Sequence, residues 1–209
     1  MATIHVLDET TINKIAAGEV VERPASVIKE LIENSIDASA TNIEVEIGDG
    51  GVAYMRITDN GIGMTEEDAR LAILRHATSK IQHVEDLFDI ASLGFRGEAL
   101  ASIASVSHFS LTTRKADSDL GTRITVDGGT FTDCIPYGAA PGTTIEIRDL
   151  FYNTPARRKF LKTERTESSK IQDIVGKLAL SNPHISFKLI IDDRVAIITP
   201  GNGNIGDTV

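Results

Sequence analysis

The chain has 209 residues, of which 41% are apolar and 24% are charged, as in globular proteins that fold as one domain. It contains no apolar run near the ~20 residues that span a bilayer, so no membrane partner is expected. The net charge of −9 argues against a general nucleic-acid binder, and the single cysteine, Cys134, excludes an intrachain disulfide and a cysteine-based zinc site. The first residues show no signal-peptide pattern, which predicts a reducing, cytoplasmic location.

The charge is unevenly distributed. Residues 1–50 carry ten acids and three bases, whereas residues 151–170 carry six bases and two acids. The basic stretch could contact DNA or a phosphate, or it could be a solvated surface.

A first helix is predicted over residues 10–21, and Pro24 suits the first turn of the next helix. On that second helix four polar residues, Glu30, Glu33, Asn34 and Asp37, stand at i, i+3, i+4 and i+7 and share one face. Taken alone, such a stripe also describes an ordinary amphipathic helix with its polar side in water.

Alternation of apolar and polar residues predicts a strand at 43–47 that pairs with a strand at 52–59. Thr65 and Asp68 resemble a capping box and predict a helix that reaches about His76. Residues 76–95 are irregular apart from a short helical stretch at 84–90, and such a long connection is often a functional lid.

A helix is predicted after Gly97, then strands near 108–114, 122–127, 130–136 and 143–149. An amphipathic helix around residues 171–178 precedes strands at 185–191 and 195–199. The pattern predicts an α+β fold, with helices on one face of a mixed, mostly antiparallel sheet of about eight strands. Residues 1–200 are expected to form one domain, and residues 201–209 a truncated linker towards a second domain.

The polar stripe has the residue types of a magnesium–polyphosphate site. Asn34 can offer a neutral oxygen to Mg²⁺, which prefers few protein ligands when phosphates supply the charge. Glu30, one helical turn away, could orient a water and accept its proton. An isolated Glu–Asn pair at this spacing could equally be a solvated hydrogen bond.

Two glycine turns follow the stripe. Asp59 precedes Gly61 and Gly63, so a carboxylate that can accept an exocyclic amine stands beside backbone able to approach a flat ring. The same residues also describe a common strand-ending turn.

The second turn, at residues 94–97, precedes a helix and could cradle phosphates, with Lys80 and Arg96 as counter-charges. It is neither a Walker loop nor a dinucleotide fingerprint, because the required spacing is missing.

In order, these segments resemble the GHKL ATPase superfamily, which includes gyrase-type topoisomerases, chaperones and histidine kinases, and most closely its MutL mismatch-repair family. The resemblance rests on AAGEVVERP (16–24), KELIENSIDA (29–38), DNGIG (59–63), HATSK (76–80), GFRGEAL (94–100) and FYNTPARRKF (151–160).

The resemblance implies ATP and Mg²⁺ as cofactors, with Glu30 as general base, Asn34 as magnesium ligand, Asp59 as adenine acceptor and Thr143 as its supporting hydroxyl. Gly61 and Gly63 would approach the base. It also implies a phosphate-binding lid formed by Thr78, Lys80, Gly94, Phe95, Arg96, Gly97, Glu98, Ala99 and Leu100.

The implied function is an ATP-dependent dimerisation switch between mismatch recognition and excision, in a bacterial cytoplasm and on its nucleoid. The implied partners are a MutS-type sensor, excision enzymes, DNA and, in longer chains, a second copy. The resemblance places a phosphate-contacting lysine in a further domain, so weak or absent turnover is expected of these 209 residues. Alternatives are another GHKL ATPase, including a histidine-kinase domain, or a non-hydrolysing module that holds DNA through Arg157, Arg158 and Lys159.

Overall fold

Eight strands form a single open sheet in the computed structural model, which describes residues 21–74 and 98–207. The strands are β1 (Asn42–Gly48), β2 (Tyr54–Asp59), β3 (His108–Arg114), β4 (Gly121–Asp127), β5 (Thr130–Tyr137), β6 (Gly142–Arg148), β7 (Ser186–Ile191) and β8 (Arg194–Ile198). Their order across the sheet is β5-β4-β3-β6-β2-β1-β7-β8. Every pairing is antiparallel except that of β1 with β7.

Five α-helices accompany the sheet in the described part of the chain: α1 (Pro24–Asp37), α2 (Glu66–Ala72), α3 (Ala99–Ala104), α4 (Pro155–Arg158) and α5 (Glu164–Ser181). Pro24 begins α1, where its missing N–H costs no helical hydrogen bond. The Thr65 side chain caps α2 by accepting from the Asp68 N–H at 3.1 Å. Helix α1 packs on α5 and on β1 and β2, and α5 packs on β7 and β8, so the two longest helices cover the half of the sheet that ends at β8.

The core lies on one face of the sheet, called here the inner face. Successive side chains of a strand point to opposite faces of the sheet, so every second residue faces the core, and two rows of apolar residues lie there. One row crosses β2, β6, β3 and β4 as Ile57, Ile145, Leu111 and Ile124, and all four are buried. This set is called the apolar row below.

The opposite face of the sheet carries charged side chains. Arg56 on β2 contacts Glu46 on β1 at 2.5 Å, and Lys188 on β7 reaches Glu44 on β1 at 3.0 Å. Cross-strand ion pairs of this kind suit a half-exposed surface, where each contributes a fraction of a kcal/mol.

The predicted fold class is confirmed, including the eight strands of a mixed sheet. One boundary is wrong: the helix capped by Thr65 ends at Ala72 and does not reach His76. The Leu74 N–H donates to the Leu71 carbonyl at 2.9 Å, which closes a turn after the helix. The helices predicted at 10–21 and 84–90 lie outside the described residues. Residues 201–207 fold back, with the Gly203 N–H donating to the Pro183 carbonyl at 2.9 Å, and the predicted linker boundary stays a prediction. No helix in the described ranges is long and apolar enough to cross a membrane.

Candidate nucleotide site

A polar row lies next to the apolar row on the inner face of the sheet. It consists of Asp59 on β2, Thr143 on β6, Thr113 on β3 and Thr122 on β4, which are paired in register across the four strands. Thr113 and Thr122 are buried, whereas Asp59 and Thr143 are half-buried. Four neighbouring strands therefore change from apolar to polar side chains at the same level, which is where a ligand can meet hydrogen-bonding groups.

Asp59 is held by hydrogen bonds to both carboxylate oxygens. The Gly61 N–H donates to Oδ1 at 2.9 Å, and the Ser35 hydroxyl lies 2.8 Å from Oδ2. Burial raises the pKa of the Asp59 carboxyl above its ordinary value of 3.8, and bonds from the Gly61 N–H, the Ser35 hydroxyl and the Thr143 N–H only partly offset this. The side chain is an oriented acceptor with lone pairs left for a ligand.

Ser35 joins the polar row to helix α1. Its hydroxyl is buried and also lies 3.1 Å from the Leu31 carbonyl. Ser35 directly follows Asn34, so this contact fixes the part of α1 that carries the predicted magnesium ligand against the predicted adenine acceptor. The residue patterns gave no role to Ser35, because the contact depends on the packing of α1 on β2.

The glycines near Asp59 are required by close backbone contacts. Gly63 has φ +65°, and a Cβ there would lie 2.0 Å from the Arg114 carbonyl oxygen. Gly142, with φ +115°, would place a Cβ 2.1 Å from the Asp59 carbonyl oxygen, and a Cβ on Gly61 would lie 2.7 Å from the Ala38 carbonyl oxygen. These glycines let the segments at Ala38, Arg114 and Gly142 pack closely against residues 59–63, whereas the sequence suggested only an approach to a ligand ring.

Asn60 has a structural role between these groups. Its Oδ1 accepts from the N–H groups of Thr41 and Asn42, both at 2.8 Å, and its Nδ2 donates to the Thr41 hydroxyl at 2.9 Å. Asp59-Asn60-Gly61 is therefore a strand-ending turn, in which Asn60 binds the chain at the start of β1. This turn is compatible with a binding role for Asp59, whose carboxylate can still accept from a ligand.

The polar stripe on α1 divides in the structure. Glu30, Asn34 and Asp37 are half-buried, but Glu33 is only 7% exposed and pairs with Lys29 at 2.9 Å. The four residues share a helix face as predicted. The charge of Glu33 is neutralised within the helix by Lys29, which gives Glu33 a structural role.

The lid predicted at Thr78, Lys80, Gly94, Phe95, Arg96 and Gly97 lies outside the described residues. The rest of the predicted segment is described: Glu98 precedes α3, and Ala99 and Leu100 form its first turn. The helix predicted after Gly97 is confirmed. The roles of all these residues towards phosphate stay predictions.

The residues present suit a nucleotide-bound Mg²⁺ better than a metal site made by protein alone. Within residues 21–74 and 98–207, no three His, Cys, Asp or Glu side chains come together as a metal-binding group. A cation that phosphates already neutralise needs few protein ligands. The half-buried Asn34 amide, one helical turn from the Glu30 carboxylate, offers such a sparse oxygen set.

A family model described as "Histidine kinase-, DNA gyrase B-, and HSP90-like ATPase" matches residues 22–130, which include α1, Asp59 and the glycine turn. The chain is 58% identical over its whole length to the DNA mismatch repair protein MutL of Thermoanaerobacter pseudethanolicus, and it spans 34% of that protein. It therefore corresponds to about a third of the length of such curated relatives.

Solved structures agree. The Aquifex aeolicus MutL ATPase domain complexed with ADP matches with a TM-score of 0.72 and 36% identity, over 90% of this chain and 68% of that one. The N-terminal domain of a DNA repair protein matches with a TM-score of 0.79 and 28% identity, over 94% of this chain and 58% of that one. The chain belongs to the histidine kinase-, DNA gyrase B- and HSP90-like ATPases and, within them, to the MutL ATPase domains.

Proposed function

We propose that this chain binds ATP with Mg²⁺ as the ATPase domain of a mismatch repair protein, and that ATP is hydrolysed in the longer protein. The observation that carries the proposal is the joining of α1 to the polar row, where the buried Ser35 bonds Asp59 beside Asn34. Support comes from the solved MutL ATPase domain that is complexed with ADP. The similarity to MutL favours this function over the topoisomerase, chaperone and histidine-kinase alternatives.

In this proposal each residue has a separate task. Asp59 accepts a hydrogen bond from the adenine amine, and Thr143 lies beside it on β6. Glu30 orients the attacking water and accepts its proton as that water approaches the terminal phosphate. Mg²⁺, held through Asn34 and the phosphates, would neutralise charge that develops on the phosphate oxygens. Gly61 and Gly63 bring backbone close to the base, and Thr78, Lys80 and residues 94–100 contribute the phosphate contacts.

Replacement of Glu30 tests the catalytic part. The test uses the longer protein, in which turnover is expected. In Glu30→Gln the side chain keeps its size but cannot take a proton, so ATP binding should persist while single-turnover phosphate release falls by about a hundredfold or more. Glu33→Gln is the matched control on the same helix, since Glu33 is ion-paired with Lys29, and it should release phosphate at the wild-type rate. Equal release by Glu30→Gln and wild type would contradict the assignment.

The metal role of Asn34 needs its own measurement. Asn34→Ala removes the amide oxygen, so calorimetric ATP affinity should lose its dependence on Mg²⁺ and approach the affinity measured with a chelator present. A wild-type response to Mg²⁺ in that variant would refute the ligand role.

The repair function is proposed for the longer protein of which the relatives are examples. ATP would order the lid segment and promote dimerisation, and hydrolysis would reverse it, so that a MutS-type sensor and excision enzymes are coupled in time. It would act on the nucleoid in the bacterial cytoplasm. Because the resemblance assigns the phosphate-contacting lysine to a further domain, we propose weak or absent turnover for these 209 residues alone. Sedimentation with a non-hydrolysable ATP analogue, compared between this chain and a relative of full length, tests the dimerisation part.

DNA contact is a second candidate function, favoured by one surface. Around α4 and the start of α5 lie exposed basic side chains beside Phe160, which is 79% exposed; they are Arg158, Lys159, Lys162 and Arg165. If this surface binds phosphates, affinity for duplex DNA should fall steeply with salt, and each lost contact should reduce the slope by about 0.9. Lys159→Ala should show that reduction, and Lys177→Ala, an exposed lysine further along α5, should not. Equal slopes for both variants would exclude this surface.

A further inference from the structure

Thr113 lies one strand away from Thr143 in the polar row and is fully buried. Its hydroxyl oxygen has three neighbours within hydrogen-bonding distance. They are the Met64 N–H at 2.9 Å, the Gly142 carbonyl oxygen at 3.0 Å and the Thr143 hydroxyl oxygen at 3.0 Å. The proposed mechanism assigns no task to Thr113.

Counting protons assigns the direction of every bond in this group. A threonine hydroxyl has one proton to donate and two lone pairs that accept. The Met64 N–H can only donate and the Gly142 carbonyl can only accept. All three contacts of Thr113 are hydrogen bonds only if Thr113 accepts from Met64, donates to Gly142 and accepts from Thr143. The proton of the Thr143 hydroxyl is thereby directed at Thr113, away from the ligand.

We infer that Thr113 is a positioning residue that orients the Thr143 hydroxyl and so makes the site selective for a purine with an amino group at position 6. This inference rests on the proposed nucleotide site. With its proton committed to Thr113, Thr143 offers only lone pairs beside the Asp59 carboxylate. Two neighbouring acceptors favour an amine donor and repel a carbonyl oxygen, which would leave acceptors facing each other.

The test compares ATP with inosine triphosphate, which carries oxygen in place of the 6-amino group. Thr113→Val keeps the shape but removes the acceptor for the Thr143 proton, which can then turn towards the ligand and donate to a carbonyl. The ratio of inosine triphosphate to ATP dissociation constants should fall by about five- to tenfold, the worth of one hydrogen bond. Overall affinity can fall as well, because Met64 also loses its partner.

Two matched variants separate positioning from structure. Thr113→Ser keeps the hydroxyl and should keep the wild-type ratio. Thr122→Val makes the same chemical change at the neighbouring buried position of the polar row, which lies outside the hydroxyl chain, and should also keep it. A wild-type ratio in folded Thr113→Val, or an equal change in Thr122→Val, would overturn the inference.

A measurement on the wild-type chain covers the case in which Thr113→Val does not fold. By NMR, the Thr143 hydroxyl proton should exchange slowly with water and show a nuclear Overhauser effect to Thr113. Exchange at the rate of a free hydroxyl would overturn the inference. A wild-type chain that binds no ATP would instead refute the nucleotide site itself, whereas selective ATP binding with an unchanged Thr113→Val ratio would refute only the role of Thr113.

Discussion

The apolar row and the polar row are built on the same four strands, two residues apart. The apolar row, Ile57, Ile145, Leu111 and Ile124, is buried and closes the core under the helices. The polar row, one level further along, brings together a carboxylate and three hydroxyls. The four strands therefore keep regular backbone pairing through both rows. Only the side chains change, from apolar in the core row to polar in the row that can contact a ligand.

The two rows also differ in what burial costs. A buried isoleucine contributes about 1.5–3 kcal/mol relative to an exposed one. A buried carboxylate is unfavourable unless hydrogen bonds compensate, and the raised pKa of Asp59 shows that its three bonds do so incompletely. The apolar row thus stabilises the fold, while the polar row retains an acceptor that a ligand can satisfy.

The largest expected effect comes from damage to the apolar row. Leu111→Ala should lower the free energy of unfolding by about 2–5 kcal/mol, because Leu111 is fully buried and the cavity cannot collapse completely. Under conditions where the variant remains folded, ATP affinity should stay close to wild type. Denaturant titration and calorimetry measure the two quantities.

Thr112→Ala is the matched control for that variant, one residue away on β3 and on the opposite face of the sheet, where it is half-buried. Its loss of unfolding free energy should stay below about 1 kcal/mol. Equal losses for both variants would mean that the two faces of the sheet do not differ as described.

The converse effect is expected in the polar row. In Asp59→Asn the Oδ1 can still accept from Gly61, and the amide can donate to Ser35, whose proton then goes to the Leu31 carbonyl. The free energy of unfolding should be unchanged or higher, because a half-buried charge is removed. ATP affinity should fall by about ten- to a hundredfold, the worth of a hydrogen bond to a charged acceptor. A variant that unfolds easily yet binds ATP normally would reverse the roles assigned to the two rows.

The strands were predictable because each has a clear period-2 pattern, and all eight begin and end within two residues of the predicted positions. The stripe on α1 was predictable in the same way, from helical spacing. Asp59, Gly61 and Gly63 were found through a motif, but their contacts with Ser35, Ala38 and Arg114 bring together segments far apart in the sequence. Local patterns carry no information about such contacts.

The position of Thr113 on the inner face could have been predicted from the sequence. It continues the alternation of Phe109 and Leu111, so it occupies an inner-face position with a hydroxyl where the pattern predicts an apolar side chain. A polar residue in a buried register is informative. Its contacts with Met64 and Gly142 could not be predicted, because they depend on the order of the strands in the sheet.

The smallest expected effect is a pH dependence that distinguishes the rows without any change in packing. ATP binding needs ionised Asp59 as an acceptor, so affinity should fall as pH decreases through the raised pKa of this carboxyl, beginning above the 3.8 of an ordinary aspartate. The stability contribution has the opposite sign. Since the folded-state pKa is raised, ionised Asp59 costs stability above that pKa, and the cost disappears as pH falls to the ordinary value.

Calorimetric titrations of ATP at a series of decreasing pH values measure this dependence, and Asp59→Asn supplies the reference. The nucleotide's own phosphate titration is common to both proteins and cancels in their ratio. The affinity advantage of wild type over Asp59→Asn should shrink on acidification, while wild type gains unfolding free energy relative to the variant. A constant affinity ratio across the range would show that Asp59 does not act as the charged acceptor, and the polar row would then bind its ligand through its hydroxyls.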